Sequence, residues 1–231
     1  MFAEQAAPVC QLYRDAAALY AQGIYVTCTD EKSGMQALEH KYPQKPMRPG
    51  QIARLEFEYI RHGTQCLIAN FQVATGQIIA PTLGPTRTEA DFVAHIRQTV
   101  ATAPDAGWIF ITDRLDIHMA ASLVAWVATT LGATQDLGKK EHHGILQSTK
   151  TRMAYLTDEA HRIRFVYAPK HASWLNQVEL WFSILVRRLL KRGSFTSVQD
   201  LRERILRFID YFNRTLAKPF KWTYQGKVLS A

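Results

Sequence analysis

The sequence predicts an α/β fold: a mixed sheet, an antiparallel meander continued by parallel strands, with helices packed on both faces. Two patterns predict it. Across residues 24–81, β-branched or alternating runs follow one another over turns, as antiparallel neighbours do. Beyond Thr88, apolar strands alternate with helical periodicities, as parallel strands joined by crossover helices do.

Leu12, Ala16, Leu19 and Tyr20 recur at helical spacing and predict a short helix that Gly23 ends. Residues 24–29 are rich in β-branched side chains and predict a buried strand that delivers Asp30 at its far end. The Pro- and Gly-rich stretch 42–50 predicts a loop. Residues 54–61 alternate, with Leu55, Phe57 and Tyr59 opposite Arg54, Glu56 and Glu58, and predict a half-exposed strand. Residues 65–73 and 77–81 predict two more strands, joined by the turn Ala74-Thr75-Gly76. Thr88-Glu89-Ala90-Asp91 has the form of a capping box, and Phe92, Ile96, Thr99 and Val100 continue as an amphipathic helix. Residues 108–112 predict a short apolar strand ending in Asp113, and 120–131 a helix stopped by Gly132.

The polar stretch 133–160 reads as an irregular insertion, and 163–167 as the last strand. Ser173 is the expected cap of a long helix running to about Lys191. Ser197 is the expected cap of another, with Leu201, Ile205, Phe208 and Phe212 on one side. The expected division is a helical lead-in over 1–22, one domain over 23–215 with the insertion at about 133–160, and a tail over 216–231.

The chain of 231 residues is 47% hydrophobic and 21% charged, ordinary for a globular protein with a real core. No apolar run approaches the roughly 20 residues of a membrane helix. The N-terminus lacks a basic start followed by an apolar core, so no secretion signal is read. Cys10, Cys28 and Cys66 are dispersed and odd in number, forming neither a disulfide framework nor a zinc knuckle; a reducing cytoplasm is expected. There is no G-x-S-x-G elbow, phosphate-cradling Gly-rich loop or HExxH helix.

The net charge of +8 is unevenly placed. From His161 onward, 14 Lys and Arg face 4 Asp and Glu, whereas the first 160 residues hold 14 basic and 16 acidic residues. The excess lies wholly in the last third, which suits a polyanionic partner or, more simply, a solvated basic face.

Three carboxylates stand where a metal site would use them: Asp30 and Asp113 at strand ends, and Glu179 almost two turns into the helix after the last strand. Each by itself also has an ordinary reading as a turn, cap or surface residue. Glu179, however, lies among Trp174, Leu175, Val178, Leu180, Trp181, Phe182 and Leu185, where an unpartnered carboxylate is costly. Three convergent carboxylates repel unless cations neutralise them, and hard divalent ions such as Mg²⁺ or Mn²⁺ do so. Two such ions about 4 Å apart suit phosphodiester chemistry.

Residues 26–34 (Val-Thr-Cys-Thr-Asp-Glu-Lys-Ser-Gly), 111–118 (Ile-Thr-Asp-Arg-Leu-Asp-Ile-His) and 169–179 (Pro-Lys-His-Ala-Ser-Trp-Leu-Asn-Gln-Val-Glu) resemble the three acidic motifs of bacterial insertion-sequence transposases. The branch is the mariner-like one of the DDE superfamily, and the resemblance runs from about Tyr25 to Leu229. It implies an RNase H-like fold, with Asp30, Asp113 and Glu179 as the ligands of two Mg²⁺ or Mn²⁺ ions. It also implies cleavage of double-stranded DNA at transposon ends and attack of the freed 3′-hydroxyl on target DNA. A homodimer in synapsis, with no membrane, acting on chromosomal DNA in the nucleoid, goes with that reading.

The chain departs from the motifs in three ways. Arg114 and Asp116 stand where the second motif has Asn, and the gap from Asp113 to Glu179 is longer than usual. Nor is there room before Asp30 for helix-turn-helix modules, so a separate helix-turn-helix protein or domain is an expected partner. Two rival readings stay open: a defective remnant that binds DNA or dimerises without cutting, and another RNase H-like nuclease such as a junction resolvase.

The resemblance places His118 and Asp116 beside the active site, His118 either on the scissile phosphate or as a satisfied structural histidine. Lys170 and His171 precede the Glu179 helix and are expected to touch DNA near the cut. Arg187, Arg188, Lys191 and Arg192 suit a helix C-terminus, but four in six residues exceed that need, and phosphate contact is expected. His142 and His143 read as a solvated loop, and Trp222 and Tyr224 as packing against the final helix rather than stacking on bases.

Overall fold

Five strands form one sheet in the order β3-β2-β1-β4-β5 in the computed structural model, which describes residues 2–43, 45–54 and 56–224. The antiparallel meander is β1 (Ile24–His40), β2 (Tyr59–Gln72) and β3 (Ile78–Gly84). Parallel to β1 lies β4 (Gly107–Thr112), and parallel to β4 lies β5 (Ile163–Tyr167). The predicted mixed sheet is present.

Alternation along the strands sends side chains to two cores. Ile109 and Ile111 of β4, with Val26 and Cys28 of β1, pack beneath α1 (Phe2–Ala21), α5 (Gln177–Leu185) and α6 (Val198–Thr215). Trp108 and Phe110 of β4, with Phe165 of β5, pack beneath α2 (Glu89–Ala101), α3 (Ala121–Thr130) and α4 (Thr149–Leu156). Helices therefore cover both faces, as predicted. Cys10, Cys28 and Cys66 are free and buried. No helix among the described residues is long and apolar enough to cross a membrane.

The capping signals act as read. Thr88 accepts from the Asp91 amide, and the Asp91 carboxylate accepts from the Thr88 amide, closing the box at the head of α2. Ser197 accepts from the Asp200 amide and opens α6. Leu201, Ile205 and Phe212 of α6 are buried in the core, with Phe208 partly so.

Several boundaries differ from the sequence expectation. The first helix begins at Phe2 rather than Leu12 and contains Pro8 in its interior. The first strand does not end at Asp30 but continues to His40, because β2 pairs with it from Thr27 to His40, with irregularities after Lys32 and Ala37. Of the strand expected at 54–61 only Tyr59–Arg61 are strand, as the start of β2, which takes in most of the strand expected at 65–73; Phe57 is 82% exposed ahead of it. The expected inward position Leu55 lies outside the described residues. The stretch 133–160 is not irregular throughout: Ser148 closes a capping box with Thr151 and opens α4. Arg152 of that helix is buried and donates to the carbonyls of Met119 and Leu146. The long helix expected from Ser173 starts later. Ser173–Leu175 form a single 3-10 turn, α5 begins at Gln177, and a π-helical turn over Val186–Leu190 follows it.

Candidate active site

The sheet register builds the site. Along the parallel pair, Ile24 faces Gly107 and Cys28 faces Ile111, so two residues further on Asp30 and Asp113 come level. There β4 ends and the chain turns away, while β1 continues against β2. Asp30 thus lies inside a strand, beside the free end of its neighbour, and not at a strand end as the sequence suggested. It shares its face of β1 with Val26 and Cys28, beneath α5.

Glu179 is the third residue of α5, in its first turn rather than almost two turns in, because the helix starts at Gln177. Val178, Trp181, Phe182 and Leu185 are buried and fix the helix on the sheet; Leu180 is exposed, and Glu179 sits half-buried at the margin. Asn176, the residue before the helix, does not cap it with its side chain. Its amide instead donates to the Thr29 carbonyl at 3.0 Å and reaches Asp30 Oδ2 at 3.4 Å. From α1, the Tyr13 hydroxyl donates to the Leu175 carbonyl at 2.6 Å. The lead-in to the Glu179 helix is thereby tied to β1 and to α1.

Electrostatics ties the three carboxylates together. Burial pushes the Asp30 carboxyl up, the Glu31 amide pulls it down, and the charges of Asp113, Glu31 and Glu179 push it further, to about 7. Glu179 is raised by burial, eased by Lys32 and raised again by Asp113. Asp113 would also be raised by its half-burial, but His118 holds it below its ordinary value. His118 is buried, which alone would depress it; its contacts with Asp113 and Glu31 push it up to about 10.

The expected site residues divide clearly. Asp30, Asp113 and Glu179 share one electrostatic neighbourhood. His118 is beside Asp113 but fully buried, with its two ring nitrogens on Asp113 and Glu31, so it is not presented to a phosphate. Asp116 is exposed in the 3-10 turn Asp116–Met119. Arg114 turns towards α1, where its guanidinium donates to Gln5 at 3.2 Å.

Lys170 and His171 are exposed on the loop after β5, His171 with a backbone φ of 60°. Arg187, Arg188, Lys191 and Arg192 are exposed on the π-helical turn and just beyond it. They begin eight residues after Glu179, roughly 12 Å along the helix axis, so they lie outside the carboxylate group. Trp222 meets the Tyr13 ring and packs on the core cluster that includes Leu201, Ile205, Ile209 and Phe212 of the final helix, and Tyr224 meets the Trp174 ring.

Two residues were missed at the sequence level, Glu31 and Asn176. Both lie within the quoted motifs, and only their partners across the fold reveal them.

The donor set fits hard divalent cations. All three groups are carboxylates, and Asp30, 7% exposed, faces the charge of Asp113 and Glu179 with no ion pair to a cation among the described residues. Among the described residues no group of three or more His, Cys, Asp or Glu side chains is drawn close enough to hold a metal ion.

The model of the DDE superfamily endonucleases matches residues 25–202, more than three quarters of the chain. The chain belongs to the DDE superfamily of endonucleases. No curated protein matches this DDE-superfamily chain in sequence. Among solved structures, its fold is similar to the Mos1 transposase paired-end complex with left transposon end, at 14% identity and a TM-score of 0.53. The Mos1 mariner paired end complex with Mn gives 14% and 0.54, and the Mos1 Strand Transfer Complex 14% and 0.51. The first two matches cover 90% of this chain and 54% of the other, so the chain spans about half the length of those transposases. At this identity the likeness is one of fold, and it agrees with the RNase H-like architecture predicted from the motifs.

Proposed function

We propose that this chain is the catalytic core of a mariner-like DDE transposase, which cuts double-stranded DNA at transposon ends and joins the freed 3′ ends to target DNA. The observation that carries this reading is the register that brings Asp30 level with Asp113, with Glu179 near enough to raise the buried Asp30 carboxyl, in a chain of the DDE endonuclease family.

In this reading Asp30, Asp113 and Glu179 hold two Mg²⁺ or Mn²⁺ ions. Such ions, when bound, supply the positive charge that activates an attacking oxygen and stabilises the leaving 3′-oxygen of a phosphodiester. The protein's own groups set the stage. Asp113 Oδ1 accepts from the Leu115 amide and His118, which fixes the carboxylate. Asn176 holds the Glu179 helix against the Thr29–Asp30 backbone, so two of the three carboxylates keep their separation. In the same reading the exposed Lys170 and His171 contact DNA near the cut, and the exposed Arg187, Arg188, Lys191 and Arg192 contact its phosphates. Pairing of two ends by a homodimer, and end recognition by a helix-turn-helix protein or domain, belong to the same proposal. Mos1 complexes holding a transposon end or Mn lend it support by analogy of fold.

The test is nicking of supercoiled plasmid with Mg²⁺ or Mn²⁺, alongside Asp113→Asn and Glu179→Gln. Metal-dependent nicking that both substitutions abolish, with DNA binding retained, is the expected result. Absence of nicking with either metal while DNA binding persists would overturn the cutting role and leave a DNA-binding remnant. Nicking without joining of a pre-cut 3′ end would favour a different RNase H-like nuclease.

A further inference from the structure

Asp30 and Glu31 are adjacent carboxylates, and strand geometry gives them different fates. Successive side chains of β1 point to opposite faces of the sheet. Asp30 faces α5, where Asn176 reaches it. Glu31 faces the opposite core, where its side chain is 1% exposed and lies 3.0 Å from His118 Nε2. The other nitrogen of that ring, Nδ1, is 2.8 Å from Asp113 Oδ1. With a carboxylate oxygen on each ring nitrogen, both nitrogens donate.

The chain Glu31–His118–Asp113 is held rigidly. Phe92 lies on the imidazole face with ring centroids 4.3 Å apart. The Tyr167 hydroxyl donates to the His118 carbonyl at 2.8 Å, and the His118 amide donates to Leu115. Asp113 is the most exposed of the three groups, its side chain 38% accessible, and it sits where β4 has ended. Nothing in the strand ladder orients it, and the imidazole and the Leu115 amide do so instead.

We infer that Glu31 is a positioning residue for the metal site: buried on the far side of the sheet, it orients His118, and through that ring fixes the Asp113 carboxylate by its Oδ1. This inference rests on the proposed reading of Asp113 as a metal ligand. Partners that orient a ligand from behind commonly govern affinity by about 10- to 100-fold without touching the ion. Glu31 therefore acts on how tightly the ions bind, and not on the rate once they are bound.

The experiment counts free Mn²⁺ by electron paramagnetic resonance in titrations of the parent chain, Asp30→Asn, Glu31→Ala, Glu31→Gln, His118→Ala and the Glu31→Ala/His118→Ala double variant. Metal-free melts of each, and nicking at saturating Mn²⁺, accompany the titrations. Glu31→Ala is expected to weaken Mn²⁺ binding about 10- to 100-fold. Glu31→Gln, whose amide oxygen still accepts from the imidazole without the charge, should lose roughly three- to tenfold. The double variant should bind no more weakly than the weaker single variant, because both act through one chain of contacts. Nicking at saturating Mn²⁺ should return to near the parent rate in the Glu31 variants.

Parent-like Mn²⁺ binding in the Glu31 variants overturns the inference and leaves Glu31 a structural residue. Loss as complete as in Asp30→Asn overturns it too, making Glu31 a ligand itself. If Glu31→Ala fails to melt cooperatively, the Glu31→Gln titration decides alone. A parent chain that binds no Mn²⁺ at all overturns the metal reading from which the inference starts, a result distinct from the other two.

Discussion

Replacing Asp30 by Asn is expected to stabilise the metal-free protein at pH 8, although the substitution removes a residue placed at the centre of the active site. Asp30 is 7% exposed, so solvent relieves little of its charge. Its carboxyl is raised from 3.8 to about 7, first by burial and then by the neighbouring carboxylates. The folded state thus holds the proton more tightly than the unfolded chain does. Stability is greatest below about pH 4 and falls as the pH rises towards 7; above that the whole cost is present. A shift of this size corresponds to at most about 4 kcal/mol. Asn is neutral, nearly the same shape, and keeps an oxygen for the Glu31 amide that now donates to Asp30 Oδ1.

For a chain of this length, 1 kcal/mol moves Tm by roughly 2–4 °C, so the ceiling is roughly 8–16 °C and a quarter of it is readily measured. Thermal melts in EDTA should place Asp30→Asn above the parent at pH 8, with the gap narrowing at pH 5. Mn²⁺ should close the gap, since an ion that binds only the folded parent adds about 4.1 kcal/mol at a thousand times its Kd, as much as the ceiling. A variant that melts at or below the parent at pH 8 without metal would refute the reasoning that Asp30 carries an uncompensated buried charge.

Four further outcomes are expected. Mn²⁺ affinity of the parent should fall by up to about tenfold per pH unit below about pH 7, because the Asp30 proton must leave before the ion binds; a flat profile from pH 5.5 to 8 would remove Asp30 from the ligand set. Asn176→Ala strips the Thr29 carbonyl of its side-chain donor, and urea unfolding should register a loss of about 1–3 kcal/mol. Ser197→Ala deletes the cap of α6 and should cost about 1 kcal/mol by the same measurement, with no change in metal affinity. Exchanging Arg187, Arg188, Lys191 and Arg192 for Gln should flatten the salt dependence of DNA binding by up to about 3.6 in the log–log slope, and an unchanged slope would exclude those side chains from phosphate contact.

Much of the fold was legible in the residues. The strand Ile163–Tyr167 and the caps at Thr88 and Ser197 lie where the local pattern put them, because a capping side chain and its target amide are three residues apart. The long reach of β1 past Asp30 was not legible. The β-branched run ends at Thr29 and the polar residues after it carry no strand pattern, yet Asp30, Glu31 and Lys32 pair with β2 and carry the strand on. Phe57 illustrates the reverse: the alternation across 54–61 suggested a strand face, and no core is there to receive it. The helix from Ser173 was drawn too early, and the Asn176 side chain went to the Thr29 carbonyl instead of the helix end.

By itself the sequence determined the mixed sheet, the candidate carboxylates Asp30, Asp113 and Glu179, and the basic excess after His161, since periodicity, caps and composition are properties of neighbouring residues. The register that levels Asp30 with Asp113 was decided only by the tertiary structure. So were the assignment of Glu31 to the far face, the burial of His118 between two carboxylates and the turning of Arg114 towards Gln5. The physical reason is range. Which residues share an end of the sheet, and which charge is left uncompensated there, depends on strand pairing and helix packing summed over partners dozens of residues apart, and no local window of the chain contains both members of such a pair.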